Sequence, residues 1–296
     1  MHFLTTTSHI EPGIFVRHDP AGEAVPVIFD SPHSGADYPA DFLYACSQRL
    51  LRQAEDAHVD RLFSSAPETG ATLIAALFPR SYIDVNRAID DIDHQLLDEA
   101  WPGQVSTSDR ARVGMGLVRR VCRPGLAMYD RKLSVAEIQR RIEHYYRPYH
   151  AAVAQAVDQA VGRFGAVWHV NCHSMPSSRG ARVPVSGWER ADFVLGDRDG
   201  TTCGIGFRRL VQGTLQRMGY DVRINDPYKG VELVRRFGQP HLGQHSLQIE
   251  VNRRLYMNEE TLEPNAGFDR LKRDIDILVA AIAAYARDQL MAAAAD

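Results

Sequence analysis

Apolar residues along this chain fall into short unbroken runs separated by segments of helical periodicity. The runs at 25–30, 71–78, 114–121, 165–171, 191–196, 220–225 and 245–252 predict strands, several of them continuous enough to be covered on both faces. Between them, 41–66 is amphipathic, Ser134-Val135-Ala136-Glu137 reads as a capping box, and 201–218 and 267–292 repeat at three and four. After Ser134, Val135, Ile138, Ile142, Tyr145, Tyr149 and Val153 form one stripe for packing on a sheet. Pro148 within that stripe should kink or split the helix, because it removes a donor and clashes with the preceding turn. The alternation predicts an α/β fold. Residues 88–113 form the longest stretch without periodicity and read as an excursion over the site. No repeat or linker divides the chain, so 1–296 is expected to be a single domain.

The chemistry gathers where strands stop. Val25-Pro26-Val27-Ile28-Phe29 runs into Asp30-Ser31-Pro32-His33-Ser34-Gly35, and Ala166-Val167-Trp168-His169-Val170 runs into Asn171-Cys172-His173-Ser174. The last apolar stretch carries Glu250 between Ile249 and Val251. A strand carboxylate is costly to bury unless it faces a metal, a cation or a polar cleft. Open α/β sheets bind ligands at strand ends, so His33 is a candidate metal ligand, the alternative being a hydrogen-bonded turn histidine. Period-2 alternation puts His169, Asn171 and His173 on one face and Val170 and Cys172 on the other. Cys172 is thereby directed away from the site, and His169 reads as a core or supporting group. The Asn86-Arg87 pair in Asp84-Val85-Asn86-Arg87 could grip a carboxylate through a guanidinium fork and an amide donor, or form a surface ion pair with Asp90, Asp91 or Asp93. Glu55, Asp56 and Asp60 fall in an expected helix after Gln53, with Asp56 and Asp60 one turn apart. One of these acids could complete a shell that two histidines leave short of the usual three protein ligands.

Composition narrows the class. With 296 residues, 45% hydrophobic and 24% charged, the chain can bury a sizeable core, and disordered or collagen-like classes are excluded. A net charge of −3 and a pI near 6.5 give no footprint for nucleic acid or an anionic membrane, which favours a small-molecule substrate. No apolar run is long enough to cross a bilayer and Met1-His2-Phe3-Leu4-Thr5 lacks the regions of a leader, so a cytoplasmic location is expected. Cys46, Cys122, Cys172 and Cys203 are scattered without a C-x-x-C pair, so neither a disulfide framework nor a cysteine zinc site is expected.

Taken in order, D-S-P-H-S-G-A-D-Y-P, E-D-A-H-V-D-R-L, D-V-N-R-A, N-C-H-S-M-P and Q-I-E-V-N-R-R-L-Y-M-N-E resemble the N-formylglutamate amidohydrolase family from about residue 25 to 260. The D-V-N-R piece also resembles the carboxylate-gripping motif of aspartoacylases and related zinc exopeptidases. The resemblance implies a three-layer α/β/α fold of zinc-exopeptidase type with a mixed, mostly parallel sheet. It also implies zinc-dependent hydrolysis of an N-acyl acidic amino acid, N-formyl-L-glutamate giving formate and glutamate in histidine breakdown. Carried over by residue, His33, Asp56 and His173 would hold Zn2+, Glu250 would be the catalytic base, and Asn86, Arg87 and Arg253 would bind substrate. Two positions depart from the pattern. Ala36 stands three residues after His33, where zinc exopeptidases commonly carry an acid, which leaves Asp56 the choice over Asp37 and Asp60. Asn171 stands where an acid often precedes the second histidine. The rival readings are a metal-independent hydrolase using Cys172 or Ser174, a deacylase of another N-acyl amino acid, and a non-catalytic binding protein on the same fold.

Overall fold

The computed structural model describes residues 6–177 and 191–294. Met1 to Thr5, on which the leader reading falls, lie outside the described residues. The strands are β1 Ser8–Glu11, β2 Phe15–His18, β3 Val27–Ser31, β4 Thr72–Ala76, β5 Val121–Arg123, β6 Leu126–Ala127, β7 Val167–Met175, β8 Phe193–Gly196, β9 Val222–Ile224 and β10 Gln244–Asn252. The helices are α1 Gln48–Arg52, α2 Val59–Leu62, α3 Asp109–Arg112, α4 Val135–Arg141, α5 Arg147–Phe164, α6 Ile205–Arg217, α7 Glu232–Phe237 and α8 Phe268–Ala293.

Eight strands form one sheet in the order β1-β2-β4-β3-β7-β10-β8-β9. The central run β4-β3-β7-β10 is parallel, while β1, β2 and β8 join antiparallel. The parity of each strand sorts its side chains between two layers. Phe29, Val170, Cys172 and Ile249 pack with α2, α6 and α8, whereas Ile28, Ile74 and Val167 pack with α4, α5 and the chain between 78 and 135. Fully buried aliphatics of α8 such as Ile275, Leu278 and Ile282 each contribute about 1.5–3 kcal/mol by burial. The fold is therefore α/β with helices on both faces of a mixed sheet.

Pro148 acts as its chemistry requires. It stands in the first turn of α5, and the residues before it, Ile142–Tyr146, widen into a π-helical turn that joins α4 to α5. The stripe of Val135, Ile138, Ile142, Tyr149 and Val153 is buried against the sheet, with Tyr145 partly covered.

Three expectations are corrected, and two edge strands are added. The run 114–121 does not enter the main sheet: Met115 and Arg119 make an isolated bridge, and the β5-β6 hairpin follows. Glycines explain the break, since Gly114 has φ +83° and Gly116 lies where a Cβ would meet the Asp91 carbonyl oxygen at 2.6 Å. The expected helix over 41–66 is broken into α1 and α2, with Leu43 and His58 left-handed at φ 45° and 67°. The edge strands β1 and β2 escape a hydrophobic pattern because Ser8 to Glu11 is exposed along its length. Cys46 and Cys122, 76 residues apart, form a disulfide that their spacing does not announce.

The turn that carries His33 is fitted tightly to the chain leaving β4. A Cβ on Gly35 would lie 2.2 Å from the Leu77 carbonyl carbon, and the Asp37 N–H donates to the Leu77 oxygen at 2.8 Å. Gly35→Ala should therefore cost about 1–3 kcal/mol through overpacking against backbone, read as a lowered denaturation midpoint at unchanged slope. A variant as stable as the parent would show that this turn is free to shift.

Candidate active site

The parallel strands β3, β7 and β10 direct their carboxyl ends to one cleft of about 390 Å³. His33 enters from the turn after β3, His173 from β7, and Glu250 from β10 directly opposite His173 in register. Asp56 arrives from the link between α1 and α2, its N–H held by the His33 carbonyl at 2.9 Å. The ligand atoms of His33, Asp56 and His173 lie within 4.8 Å of one another. The structure brings Asp56 to the histidines; Asp37 is exposed, and Asp60 lies outside this group, its N–H bonded to Ser34 Oγ at 3.1 Å.

Each histidine turns its Nδ1 toward Asp56 Oδ2, His33 at 3.3 Å and His173 at 3.0 Å. The far nitrogens are fixed from behind. His33 Nε2 lies 2.7 Å from Asp84 Oδ1, a carboxylate that can only accept, so this nitrogen carries the proton and Nδ1 keeps its lone pair. That Nδ1 is buried and has no hydrogen-bond partner among the described residues. His173 Nε2 lies 2.7 Å from Asn171 Oδ1 and 2.9 Å from Asn86 Nδ2, contacts that require opposite tautomers. A cation at Nδ1 selects the tautomer in which Nε2–H donates to Asn171. Asn171 is oriented for this, because its amide nitrogen donates to Asp30 Oδ1 at 2.8 Å. Asp30 also accepts from Tyr149 and lies 2.8 Å from His169 Nε2, while His169 Nδ1 meets Ser246 Oγ at 2.7 Å. The donor set of two imidazole nitrogens and one carboxylate oxygen, with an orphaned lone pair at its centre, fits a zinc-type cation.

Charge balance supports the same geometry. Burial alone would raise Asp56, but its close contacts with His173 and His33 and the charge of Arg80 hold it well below the ordinary carboxylate range. Arg253 Nη2 donates to Asp56 Oδ1 at 2.9 Å and to the Glu55 carbonyl at 2.7 Å, Nη1 donates to the Gln53 carbonyl, and Nε donates to Ser174 Oγ. This guanidinium is thus spent mainly on the protein, although Arg253 lines the cleft. Glu250 accepts from Gln248 Nε2 at 2.9 Å through Oε1. Burial pushes its carboxyl up to about 7, against the lowering effect of His173 and with a further rise from Asp56. A carboxylate tuned to that range suits proton transfer near neutral pH.

Asn86 and Arg87 both line the cleft. The Asn86 amide oxygen is taken by the Leu233 N–H at 3.0 Å, and its NH2 group points at Asn171 and His173. Arg87 Nε stands 4.0 Å from Asp84 Oδ2 and has no hydrogen-bond partner among the described residues. Cys172 lies in the opposite core layer with its thiol pushed up by burial, and Ser174 Oγ is held by Arg253 rather than by a base. Sequence reasoning missed Asp84 as the His33 partner, and Arg80, Arg110 and Arg119 as wall residues. Asp84 and Arg80 were adjacent to the Asn-Arg pair. Arg110 stands in the one-turn helix α3 and Arg119 in the isolated bridge to Met115, places that no periodicity discloses.

The profile of the N-formylglutamate amidohydrolase family matches residues 25–257. The N-formylglutamate deformylase of Pseudomonas aeruginosa is 28% identical over 242 residues, covering 80% of this chain and 84% of its own. That of Pseudomonas putida is 28% identical over 240 residues, with 79% and 83% covered. The solved N-formylglutamate amidohydrolase of Ralstonia eutropha JMP134 is 49% identical, with a TM-score of 0.89 over 94% of this chain and 99% of its own. Gene product Atu2144 of Agrobacterium tumefaciens, at 18% identity and a TM-score of 0.61, shares the fold. On a match that spans the strands and turns of the cleft, this chain belongs to the N-formylglutamate amidohydrolase family.

Proposed function

We propose that this chain, acting as one domain, is a zinc-dependent hydrolase that cleaves N-formyl-L-glutamate to formate and L-glutamate. The observation that carries this reading is the pair of histidine Nδ1 atoms converging on Asp56, beside a buried glutamate in an arginine-walled cleft. Relatives named for the same substrate support the choice of acyl amino acid. We assign the reaction to histidine breakdown on the family resemblance. No helix among the described residues is long and apolar enough to cross a membrane.

A zinc ion held by His33 Nδ1, Asp56 and His173 Nδ1 would polarise the formyl oxygen and lower the pKa of the attacking water. Glu250 takes the water's proton on Oε2, since Oε1 is occupied by Gln248. The same carboxylic acid then returns a proton to the departing amine nitrogen, which lets glutamate leave as a neutral amine. Asp84 and Asn171 keep the two imidazoles oriented throughout. Arg87 binds the α-carboxylate and sets the scissile amide beside Glu250, a positioning contribution of the kind that lowers barriers by several kcal/mol. Asn86 lines this side of the cleft against His173.

Zinc content is expected at about one per chain, with activity abolished by a chelator and restored by the metal. His33→Ala and His173→Ala should each lose both metal and turnover, and Asp56→Ala should follow them. Full metal retention in any of the three would remove that residue from the ligand set.

Glu250→Gln should keep the fold and the zinc while lowering kcat by about 10²–10⁴, the usual range for a lost general base. An amide of nearly the same shape cannot accept the proton. Turnover within about twofold of the parent would assign the proton transfer to another group.

A further inference from the structure

Among the described residues, the guanidiniums of the cleft are not all met by acids. Arg80 pairs with Asp84 Oδ2 through Nη2 at 2.8 Å and Nε at 3.2 Å, while Asp84 Oδ1 is taken by His33. Two further guanidiniums approach the same Asp84 oxygen without reaching it, Arg87 at 4.0 Å and Arg119 at 3.9 Å. Among the described residues neither Arg87 Nε nor Arg119 Nε has a hydrogen-bond partner. One carboxylate therefore faces three arginines, while Asp56 is matched by Arg253 and Arg80 and Glu250 accepts from Gln248. Burying guanidiniums with open donors is costly unless an anion arrives to meet them. Burial first, and then repulsion from Arg80, press the Arg119 guanidinium down to about 9, as expected for a cation short of counter-charge.

The two open arginines differ in where they stand. Arg87 follows Asn86, whose amide touches His173, so Arg87 belongs to the wall next to the reacting centre. Arg119 comes from the glycine-broken bridge that follows the 88–113 excursion, whose backbone is pinned by the Leu117 N–H to the Asp91 carbonyl at 2.9 Å and by the Arg120 N–H to the Gly114 carbonyl at 2.9 Å. An α-carboxylate lies one carbon from the scissile amide, and a glutamate side-chain carboxylate lies farther out. We propose that Arg119 is a specificity-determining residue that receives the side-chain carboxylate of the substrate, while Arg87 holds the α-carboxylate. This rests on the hydrolase reading above and extends it by naming the residue, in the bridge just after the excursion, that selects for the substrate's second carboxylate.

The test compares N-formyl-L-glutamate with the isosteric, uncharged N-formyl-L-glutamine on zinc-loaded protein. Arg119→Gln should lower kcat/KM for the glutamate substrate about tenfold to a hundredfold, chiefly through KM, and change the glutamine substrate by less than about threefold. Arg87→Gln should lower both alike. Equal losses on the two substrates in Arg119→Gln, no loss on either, or a glutamate-selective loss in Arg87→Gln instead, would overturn the assignment. Arg119→Lys keeps the charge without the planar fork and covers the case in which the glutamine variant does not fold; it should still narrow the preference for glutamate, and an unchanged preference counts against the proposal. Calorimetric binding of both compounds to parent and variant separates the two readings. Failure of the parent to turn over either compound defeats the hydrolase reading, while the binding ratio still decides the role of Arg119.

Discussion

Asp56 is a buried carboxylate whose desolvation has to be offset by partners drawn from four separate parts of the chain. His33 comes from the turn after β3, Arg80 from the chain after β4, His173 from β7 and Arg253 from the end of β10. Each partner is itself held elsewhere, Arg80 by Asp84 and Arg253 by two backbone carbonyls and Ser174. Asp56 and these partners are thus one interdependent set of charges, and losing one of them would strand the others in a dry environment. The geometry that could hold a metal is the geometry that makes this burial tolerable.

Behind the two histidines stand two different supports. His33 rests on Asp84, an ionised group whose carboxyl stays well below its usual range because Arg80 and His33 outweigh its burial. His173 rests on Asn171, a neutral amide whose orientation is set by Asp30 and, through it, by Tyr149 and His169. The asparagine at that position is a departure from an acidic pattern, yet its oxygen accepts where a carboxylate would. The charge that a carboxylate would have carried sits one residue deeper, on Asp30.

The sequence disclosed the parts of this arrangement that depend on local periodicity. Alternation along 165–175 put His169, Asn171 and His173 on one face and Cys172 on the other, and the structure has them so. The central strands β3, β4, β7 and β10 are visible as apolar runs, β10 within one residue at its start and the others with ends shifted by up to a turn's length of chain. Hidden from that reading were contacts made by irregular chain. Asp56 was expected on a helix but occupies a link, Arg119 was expected on a strand but occupies a glycine-broken bridge, and Cys46 meets Cys122 across 76 residues. Such positions are set by tertiary packing, to which neither a period of two nor one of 3.6 gives access.

The strand that carries Glu250 is gripped on both sides, in parallel register with β7 from Gln244 to Asn252 and antiparallel with β8 from Gln248 to Val251. Alternation makes this double pairing a safeguard against a particular error. A slip of one residue would exchange Glu250 for an isoleucine or valine in the cleft and press its carboxylate into the layer of α6 and α8, a double penalty that no neighbour could relieve. Evolution can therefore recast the apolar layer under β10 without disturbing the chemistry above it, so long as every second residue keeps its side.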